Sequence, residues 1–417
     1  MKLGAGEKSL SRNAIVNGAK NVVSVLFPLI TYPYVTRILG ASGVGRVTFA
    51  ASIVSYFFLI AQFGITSYAV REGCLVRDDK TKLEQFVSEI YTLNLTTMLA
   101  AYILLAITVL IVPSLHEYAV LIGVLSLEFV FYIGSTEWIN TVYEDFFYIA
   151  VRSILVQVAT LAYLFLFVRH ESDLIHYAVF LLLSYVGTGV ANYVYTRKKL
   201  RVKPTTHPNF RKHLKPALMV FIMSITSTIY LNSDQTMLGF MCGDSSVGVY
   251  SVAVKIYSTV KAVFNAMLTV VLPRLSYLAQ KEDKTEYRSL RKKIMFAVLA
   301  LLVPACAGLF MLAPLAVRIV GGEEFMAGVV PLRILSVALF FSVMSIFLTN
   351  VIVIPSGKYN LAMTASVITA VLNVGMNFFM IPAYAETGAA ITTIIAEFIM
   401  VAFPTYVIIQ NRDTILS

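Results

Sequence analysis

The sequence predicts an all-α polytopic membrane protein, with 12 transmembrane helices in two six-helix lobes related by a pseudo-twofold axis along the membrane normal. Three observations lead to this fold class: the apolar composition, twelve apolar windows and an internal repeat. Apolar residues make up 58% of the 417 residues, charged residues 13%, and the mean hydropathy is +0.78. Soluble domains average about half apolar and a quarter charged residues. The composition therefore excludes a cytosolic enzyme, a secreted scaffold and a disordered chain.

Each predicted helix corresponds to an apolar window of about 20 residues, the length that crosses the hydrocarbon core. The windows are 14–36, 47–66, 85–111, 118–138, 146–168, 175–196, 216–239, 247–272, 294–315, 328–352, 360–381 and 388–409. Twenty-four of the 33 Lys and Arg residues lie on one side of this arrangement, which includes a loop around Arg71, and four lie on the other. By the positive-inside rule, we expect both termini in the cytoplasm.

A short internal repeat supports the division into two lobes. Gly40-x-Ser42-x-Val44-Gly45 and a following Ala50 recur 203 residues later, beginning at Gly243. Each copy lies between the first and second helices of a predicted six-helix half. Because six is even, both halves cross the membrane in the same direction, and parallel repeats of this kind are related by an axis along the membrane normal. We therefore predict lobes at residues 1–200 and 201–417.

Several other classes of site are not expected. The three cysteines are far apart, and the five histidines form no metal-binding pattern, so we expect no zinc site, no catalytic constellation and no cofactor. The net charge of +10 follows from the basic cytoplasmic loops rather than from a nucleic-acid surface. Basic runs such as 197–201 and 291–293 are expected to contact membrane lipid headgroups.

The order of several motifs carries a resemblance that covers essentially the whole chain. They read YPYVTRILGASGVGRVTFA at 32–50, STEWINTVYEDFFYIAVRS at 135–153, YLNSDQTMLGFMCGDSSVGVYSVAVKI at 230–256, VLPRLS at 271–276, IPSGK at 354–358, and LNVGMNFFMIPAYAETGAAITTIIAE at 372–397. Their order and spacing resemble the polysaccharide-unit flippases (O-antigen, Wzx type) of the multidrug/oligosaccharidyl-lipid/polysaccharide superfamily. The sequence departs from that family at residues 139–141, where Phe-Gln-Gly is frequent, and at Ala385, where glycine is usual.

The resemblance implies a flippase of the bacterial cytoplasmic (inner) membrane. Its substrate would be an undecaprenyl pyrophosphate-linked oligosaccharide unit, moved from the cytoplasmic to the outer leaflet by alternating access through a two-lobed cavity. It also suggests a polysaccharide polymerase and a chain-length regulator as partners, and we expect a monomer. A multidrug exporter on the same fold is the alternative, although that family usually has a carboxylate in helix 1, where this chain has Lys20. A membrane-embedded polymerase or glycosyltransferase is a third possibility, which the short outer loops disfavour.

Cationic residues within the predicted helices are candidates for binding the pyrophosphate. Ionisable side chains at mid-bilayer cost about 2.5–3.5 kcal/mol each, so they usually face water or a partner. In helix 1, Asn17, Lys20 and Asn21 share one face. The complete set expected to line a cationic cavity is Lys20, Arg46, Arg152, Lys255, Lys261, Asn17 and Asn21. The alternatives are structural pairing of the lysines with Glu128, Glu137 or Glu397, and interfacial anchoring of Arg46.

A second candidate site combines Asp234, Asn373, Asn377 and Thr393, which fall at similar predicted depth in the second lobe. They offer oxygen ligands and one negative charge, which suits a monovalent cation. The resemblance adds that ion-coupled relatives, including lipid II flippases, hold sodium with similar residues on these helices. We expect sodium or a proton as the coupling ion and no other metal. The alternative is a hydrogen-bonded clamp between helices.

Overall fold

The computed structural model describes residues 10–206, 208–278, 285–354 and 359–410. These residues form helices joined by short turns, and no β-strand occurs among them. The predicted all-α fold is therefore confirmed for the part of the chain that the structure describes. Two of the helices are much longer than the rest, and both are bent by a residue outside the helical region of φ and ψ: Gly40 (φ 65°, ψ −179°) and Ala385 (φ 46°, ψ −129°).

The α-helices of the described residues are α1 Leu10–Gln62, α2 Ile65–Val76, α3 Lys80–Ile111, α4 Ala119–Ser126, α5 Glu128–Ser135, α6 Trp138–Val142, α7 Phe146–Phe167, α8 Leu174–Lys199, α9 Phe210–Cys242, α10 Asp244–Leu278, α11 Thr285–Met311, α12 Ala313–Val320, α13 Val329–Phe347 and α14 Tyr359–Gln410. Two 3₁₀ helices lie at Pro113–Tyr118 and Glu323–Gly328, and a π-helical turn lies at Leu348–Val353. The bends at Gly40 and Ala385 fall between predicted helices 1 and 2 and between predicted helices 11 and 12.

Ten helical stretches of the described residues are long and apolar enough to cross a membrane. They are Leu26–Val76, Lys80–Ile111, Pro113–Val142, Phe146–Phe167, Leu174–Lys199, Phe210–Cys242, Asp244–Leu278, Thr285–Met311, Glu323–Val353 and Asn360–Gln410. Each of the twelve predicted windows lies within or overlaps one of these stretches. The protein is therefore a multi-pass membrane protein, whereas the count of twelve crossings stays a prediction.

The surface of these helices also fits a bilayer. Large apolar side chains such as Leu110, Val270 and Phe296 are exposed on α3, α10 and α11. Exposed apolar surface on many long helices would be unstable in water, but hydrocarbon solvates it. The helices satisfy their own backbone hydrogen bonds, which the hydrocarbon core requires of any spanning segment.

The helix α2 corrects the sequence interpretation, which placed Arg71 in a loop. Ile65, Tyr68 and Ala69 form its buried face at helical spacing, whereas Arg71 is exposed. The segment is too short and too polar to appear as an apolar window, but burial of one face stabilises it as an amphipathic helix. It packs on a core that also contains the single tryptophan, Trp138.

The chain divides into two compact units. The first contains the described residues up to Leu39 together with Ala50–Thr228, and the second contains Gly40–Phe49 together with the described residues from Ile229 onward. The short segment Gly40–Phe49 therefore belongs to the second unit, although it lies in the first half of the sequence. The lobes predicted at 1–200 and 201–417 stay a prediction.

The two copies of the repeat meet within the second unit. Gly40 and Gly243 occupy equivalent repeat positions, and both have positive φ (65° and 85°). A Cβ atom added to Gly45 would overlap the backbone carbonyl of Asp244, and one added to Gly248 would overlap that of Ala41. These two contacts exchange under the 203-residue shift of the repeat. The two corners therefore cross each other reciprocally, at a distance that only glycine permits.

Candidate functional site

Asp234 on α9 lies at the centre of a buried hydrogen-bond network in the second unit. Its Oδ1 accepts the side-chain amide of Asn377 at 2.6 Å. Its Oδ2 accepts the hydroxyls of Tyr250 at 2.6 Å and Thr393 at 2.8 Å. Only 7% of Asp234 is exposed. Residues of α9, α10 and both arms of the bent helix α14 therefore converge on one carboxylate.

A second layer of side chains holds the two asparagines of α14. Asn373 Oδ1 accepts the hydroxyl of Ser233 at 3.0 Å and the amide of Asn377 at 3.4 Å. The hydroxyl of Thr392 donates to Asn377 Oδ1. All four residues are buried. Because Asn373 and Asn377 are four residues apart, one face of the helix presents both amides to the same site.

The network contains one formal charge. The contacts of Asp234 are all neutral groups, and no Lys, Arg or His among the described residues forms an ion pair with it. Likewise, no three His, Cys, Asp or Glu side chains converge on a common point in the described ranges. A buried ionised carboxylate without a counter-charge costs several kcal/mol, even after relaxation. A monovalent cation or a proton at Asp234 would remove that cost.

The structure thus brings together the four residues predicted as an ion site: Asp234, Asn373, Asn377 and Thr393. It shows their hydrogen bonds, which also join the helices, while ion binding stays a prediction. Sequence reasoning missed Tyr250, Thr392 and Ser233. Two of these are sequence neighbours of predicted residues, but nothing about a lone serine or threonine in an apolar helix singles it out. Tyr250 lies within the second copy of the repeat, two residues after Gly248, a position that could have been noticed.

Lys261 and Glu397 form a second polar cluster in the same unit. Lys261 Nζ lies 3.0 Å from Glu397 Oε1, which also accepts the hydroxyl of Tyr257 at 3.1 Å. The Lys261 side chain is 25% exposed, whereas that of Glu397 is 4% exposed. The pairing alternative considered from the sequence therefore describes the contact of Lys261. Lys261 is thus the more exposed member of the pair.

Arg152 on α7 has an equivalent arrangement in the first unit. Its guanidinium donates to Glu137 Oε1 at 3.0 Å and to Asn192 Oδ1. Asn140 donates to the same amide oxygen at 2.9 Å. The exposure is reversed relative to the lysine pair, since Arg152 is 5% exposed and Glu137 is 38% exposed. In this cluster the carboxylate is the group that reaches the solvent.

The remaining residues predicted to line the cationic cavity lie on α1 and α10. Lys255 on α10 and Arg46 in the segment Gly40–Phe49 are half-buried, and both belong to the second unit. Lys20, Asn17 and Asn21 lie on α1, but their side chains fall outside the part that the structure describes. The lining of a substrate path by these residues stays a prediction.

A third buried cluster, which sequence reasoning did not find, lies in the first unit. Tyr68 OH is 2.7 Å from His213 Nδ1, and His213 Nε2 is 2.6 Å from Glu89 Oε2. Gln85 donates to the other carboxylate oxygen at 3.0 Å. Because His213 is fully buried beside Phe86, this chain of contacts fixes the start of α9 to α2 and α3. Tyr68, Glu89 and His213 are buried, and Gln85 covers the cluster from the exposed side, so we interpret the cluster as structural.

These features define a multi-pass helical membrane protein with several buried polar clusters. No group of three possible metal ligands occurs among its described residues. The chain belongs to the polysaccharide biosynthesis protein family, whose sequence model matches residues 10–279. An Escherichia coli (strain K12) protein that is named as an O-antigen transporter is 24% identical over 414 residues, covering 97% of this chain and 98% of that protein. The family resemblance stated from the sequence is therefore confirmed.

Solved structures share the fold. A lipid II flippase, MurJ, in an inward closed conformation has a TM-score of 0.70 at 14% identity, covering 95% of this chain and 87% of the MurJ chain. A multidrug resistance MATE family transporter in an inward-facing conformation has a TM-score of 0.69 at 16% identity, covering 96% and 99% of the two chains. At these identities the likeness concerns the fold alone.

Proposed function

We propose that the protein is a flippase that moves an undecaprenyl pyrophosphate-linked oligosaccharide unit from the cytoplasmic to the outer leaflet by alternating access. One observation carries the proposal: in the second unit, Thr393 of α14 contacts the buried, uncompensated carboxylate of Asp234, and one turn further along α14 Glu397 pairs with the partly exposed Lys261. The first is suited to a coupling ion and the second to a phosphate. Membership of the polysaccharide biosynthesis family and the relative named as an O-antigen transporter support this substrate class.

The proposed topology has twelve crossings in two six-helix halves related by a twofold axis along the membrane normal. The helices α1 and α14 contain 53 and 52 residues, which corresponds to about 80 Å of helix each against a hydrocarbon core of about 30 Å. Each is interrupted by a bend, at Gly40 in α1 and at Ala385 in α14, and so has the length for two crossings. The reciprocal contacts of Gly45 and Gly248 support the twofold relation locally.

The proposed location is the bacterial cytoplasmic membrane with both termini inside. The test is cysteine labelling in a background without Cys74, Cys242 and Cys306. A cysteine at the exposed Ser172 should react with an impermeant reagent from outside, and one at the exposed Thr206 only after the inner face is opened. The reverse pattern would invert the topology.

The proposed substrate site is the set of cations predicted from the sequence, of which Lys261 is the best defined. A pyrophosphate carries about two negative charges, whose interaction with a cation strengthens as the local dielectric falls. The same cations disfavour a cationic drug, which is why we place drug export second. A polysaccharide polymerase and a chain-length regulator are proposed partners, and catalysis by this chain is not proposed.

The proposed coupling ion is sodium or a proton at Asp234. Occupancy of this site would neutralise a charge that three helices share, so it would bias the equilibrium between conformations. Coupling energies of about 1–3 kcal/mol are typical of such linkage. A ligand shifts the equilibrium only through its different affinity for the two states, so the site must differ between them.

The decisive experiment is translocation in reconstituted vesicles. Purified full-length protein in vesicles that contain a fluorescent lipid diphosphate-linked sugar should make that lipid accessible to an impermeant quencher faster than protein-free vesicles do. An imposed sodium or proton gradient should change the rate. Accessibility equal to that in protein-free vesicles, with folded protein present, would refute the proposed function. Equal transport of a cationic dye would favour the drug-export alternative.

A further inference from the structure

Lys261 and Glu397 form an ion pair whose two members differ in access to solvent. The lysine side chain is 25% exposed and the glutamate side chain 4% exposed. Of the two, the lysine side chain is therefore the one that an anion would approach, whereas the glutamate side chain is almost completely covered. We propose that Glu397 is a proton-binding site, and that it takes up one proton when the phosphate of a ligand binds Lys261. This inference rests on the proposed function for the identity of the phosphate ligand.

The contacts of Glu397 show which partners the carboxylate keeps when Lys261 binds a phosphate instead. Glu397 Oε1 is 3.0 Å from Lys261 Nζ and accepts the hydroxyl of Tyr257 at 3.1 Å. Lys261 is its sole cationic partner among the described residues. If the ammonium group turns to a phosphate, the carboxylate keeps one neutral donor. Breaking one side of a buried ion pair costs about 3–5 kcal/mol because an uncompensated charge is left behind.

Among the described residues, the elements packed around Glu397 form no second ion pair with it. The α9 helix contributes the buried hydroxyl of Tyr230, an electrostatic neighbour of both Glu397 and Asp234. The α10 helix contributes Tyr257 and Lys261 as contacts of Glu397, and it also carries the half-buried Lys255. The sole ionisable side chain of α13 is Arg333, which lies over the ring of Phe310. The π-helical turn that also packs on α14 has no ionisable side chain.

Protonation is the available way to remove this cost. A buried carboxyl group without a counter-charge favours its neutral form. The step is a simple proton transfer: a proton from water forms an O–H bond on the Glu397 carboxylate, and no electrons are exchanged with any other group. The neutral acid can still share its hydrogen bond with Tyr257. Ligand binding and proton binding are then positively linked, and each must strengthen the other by the same factor.

The affinity for the phosphate ligand should depend on the protonation of Glu397. Ionised Glu397 competes with the phosphate for Lys261, whereas protonated Glu397 does not. Raising the pH should therefore weaken binding, in contrast to the effect of ionising the ligand itself. The Arg152 and Glu137 pair provides a contrast within the same chain, since Glu137 is 38% exposed and water can solvate its charge. Binding of an anion to Arg152 should therefore not cause Glu137 to take up a proton.

The experiment measures proton uptake on binding. Farnesyl diphosphate is titrated into the purified full-length protein by calorimetry, in several buffers that differ in ionisation enthalpy. The pH is set about two units above the second phosphate pKa of about 6, so that the ligand is already ionised. The variants are Glu397→Gln, which retains the shape and loses the titration, and Glu171→Gln, a matched change at an exposed loop carboxylate.

Wild type and Glu171→Gln should take up about one proton for each ligand bound, and Glu397→Gln should take up none. The linkage predicts about tenfold tighter binding by Glu397→Gln at this pH, within the range usual for coupled sites. No proton uptake by the wild-type protein would overturn the proposal without reference to any variant. Equal uptake by Glu397→Gln would also overturn it, as would failure of farnesyl diphosphate to bind. Translocation in vesicles without proton uptake would refute this inference alone, whereas proton-linked binding without translocation would refute the proposed function alone.

Discussion

Thr393 and Glu397 lie one helical turn apart on α14, and each side chain contacts a different charged group. The hydroxyl of Thr393 donates to Asp234 at 2.8 Å, and Glu397 pairs with Lys261 at 3.0 Å. A single turn of helix therefore connects the candidate ion site to the candidate phosphate site. Movement of this turn would change both sets of contacts at once, which makes coupling between the sites physically direct.

Asp234→Asn should uncouple transport from the ion gradient. The change removes the single charge of the network but keeps its shape, and the hydroxyls of Tyr250 and Thr393 can rotate to fit an amide. We expect translocation in vesicles to lose its response to an imposed sodium or proton gradient while farnesyl diphosphate binding changes less than about threefold, under 1 kcal/mol. Asp78→Asn, at an exposed position, is the control. A full gradient response in Asp234→Asn would remove this residue from the coupling mechanism.

Thr393→Val should weaken the same site through hydrogen bonding alone. Valine matches the shape of threonine but cannot donate to Asp234 Oδ2. Hydrogen bonds to charged groups contribute about 1.5–3 kcal/mol, so we expect a lower melting temperature and a smaller stabilisation by sodium. Thr393→Ser retains the hydroxyl and should keep most of the sodium effect. If both variants respond to sodium like the wild type, the threonine does not contribute to the ion site.

Lys261→Ala should abolish translocation without preventing folding. The alanine variant loses the accessible cation and leaves Glu397 to take up a proton. Lys261→Arg should retain part of the activity, since the positive charge is kept although its geometry changes. The readout is the translocation rate normalised to the amount of folded protein in the vesicles. Wild-type rates in the alanine variant would exclude Lys261 from the substrate path.

Ala385→Gly should stabilise the protein. Ala385 has φ 46° and ψ −129°, a conformation that a Cβ atom makes unfavourable. Such outliers cost about 1–3 kcal/mol in non-glycine residues, so after the extra chain entropy of glycine we expect a gain of about 1 kcal/mol. The control is Ala390→Gly, in the helical part of α14, which should lose about 1 kcal/mol instead. Thermal unfolding in one detergent compares the two, and equal shifts would argue against strain at Ala385.

His213→Ala should destabilise the first unit. The change leaves Glu89 buried without its ring partner and opens a gap beside Phe86. Leaving a buried hydrogen-bonding group without its partner costs about 1–3 kcal/mol. Glu72→Gln disrupts the exposed pair with Arg71 and should stay within about 0.5 kcal/mol of the wild type. Unfolding midpoints measured for both variants compare the loss of a buried contact with the loss of an exposed one. A midpoint near the wild-type value for His213→Ala would show that the cluster does not stabilise the fold.

Composition and periodicity were sufficient to predict the helices because crossing a bilayer requires long apolar segments. They also predicted that Asp234, Asn377 and Thr393 would meet, since similar depth on neighbouring helices brings polar side chains together. The family resemblance came from the order of the motifs rather than from any single residue.

The contacts that sequence reasoning missed have a common cause. The helix α2 and the cluster of Tyr68, Glu89 and His213 depend on packing between segments far apart in the chain. A histidine that follows a basic loop gives no local sign that it will be buried against a glutamate 124 residues earlier. Likewise, no apolar window could show that Lys261 would be accessible while Glu397 would not.

The crossing of Gly45 and Gly248 has a consequence for the history of the sequence. Each glycine is fixed by the backbone of the other copy, since the two corners touch at Asp244 and Ala41. A larger residue in either copy would push the two corners apart, and no side-chain change in the other copy could make room. If one segment was duplicated to give both halves, other positions could diverge because their neighbours could adapt. The contact between the two copies would then be the place where duplication leaves the least freedom to change.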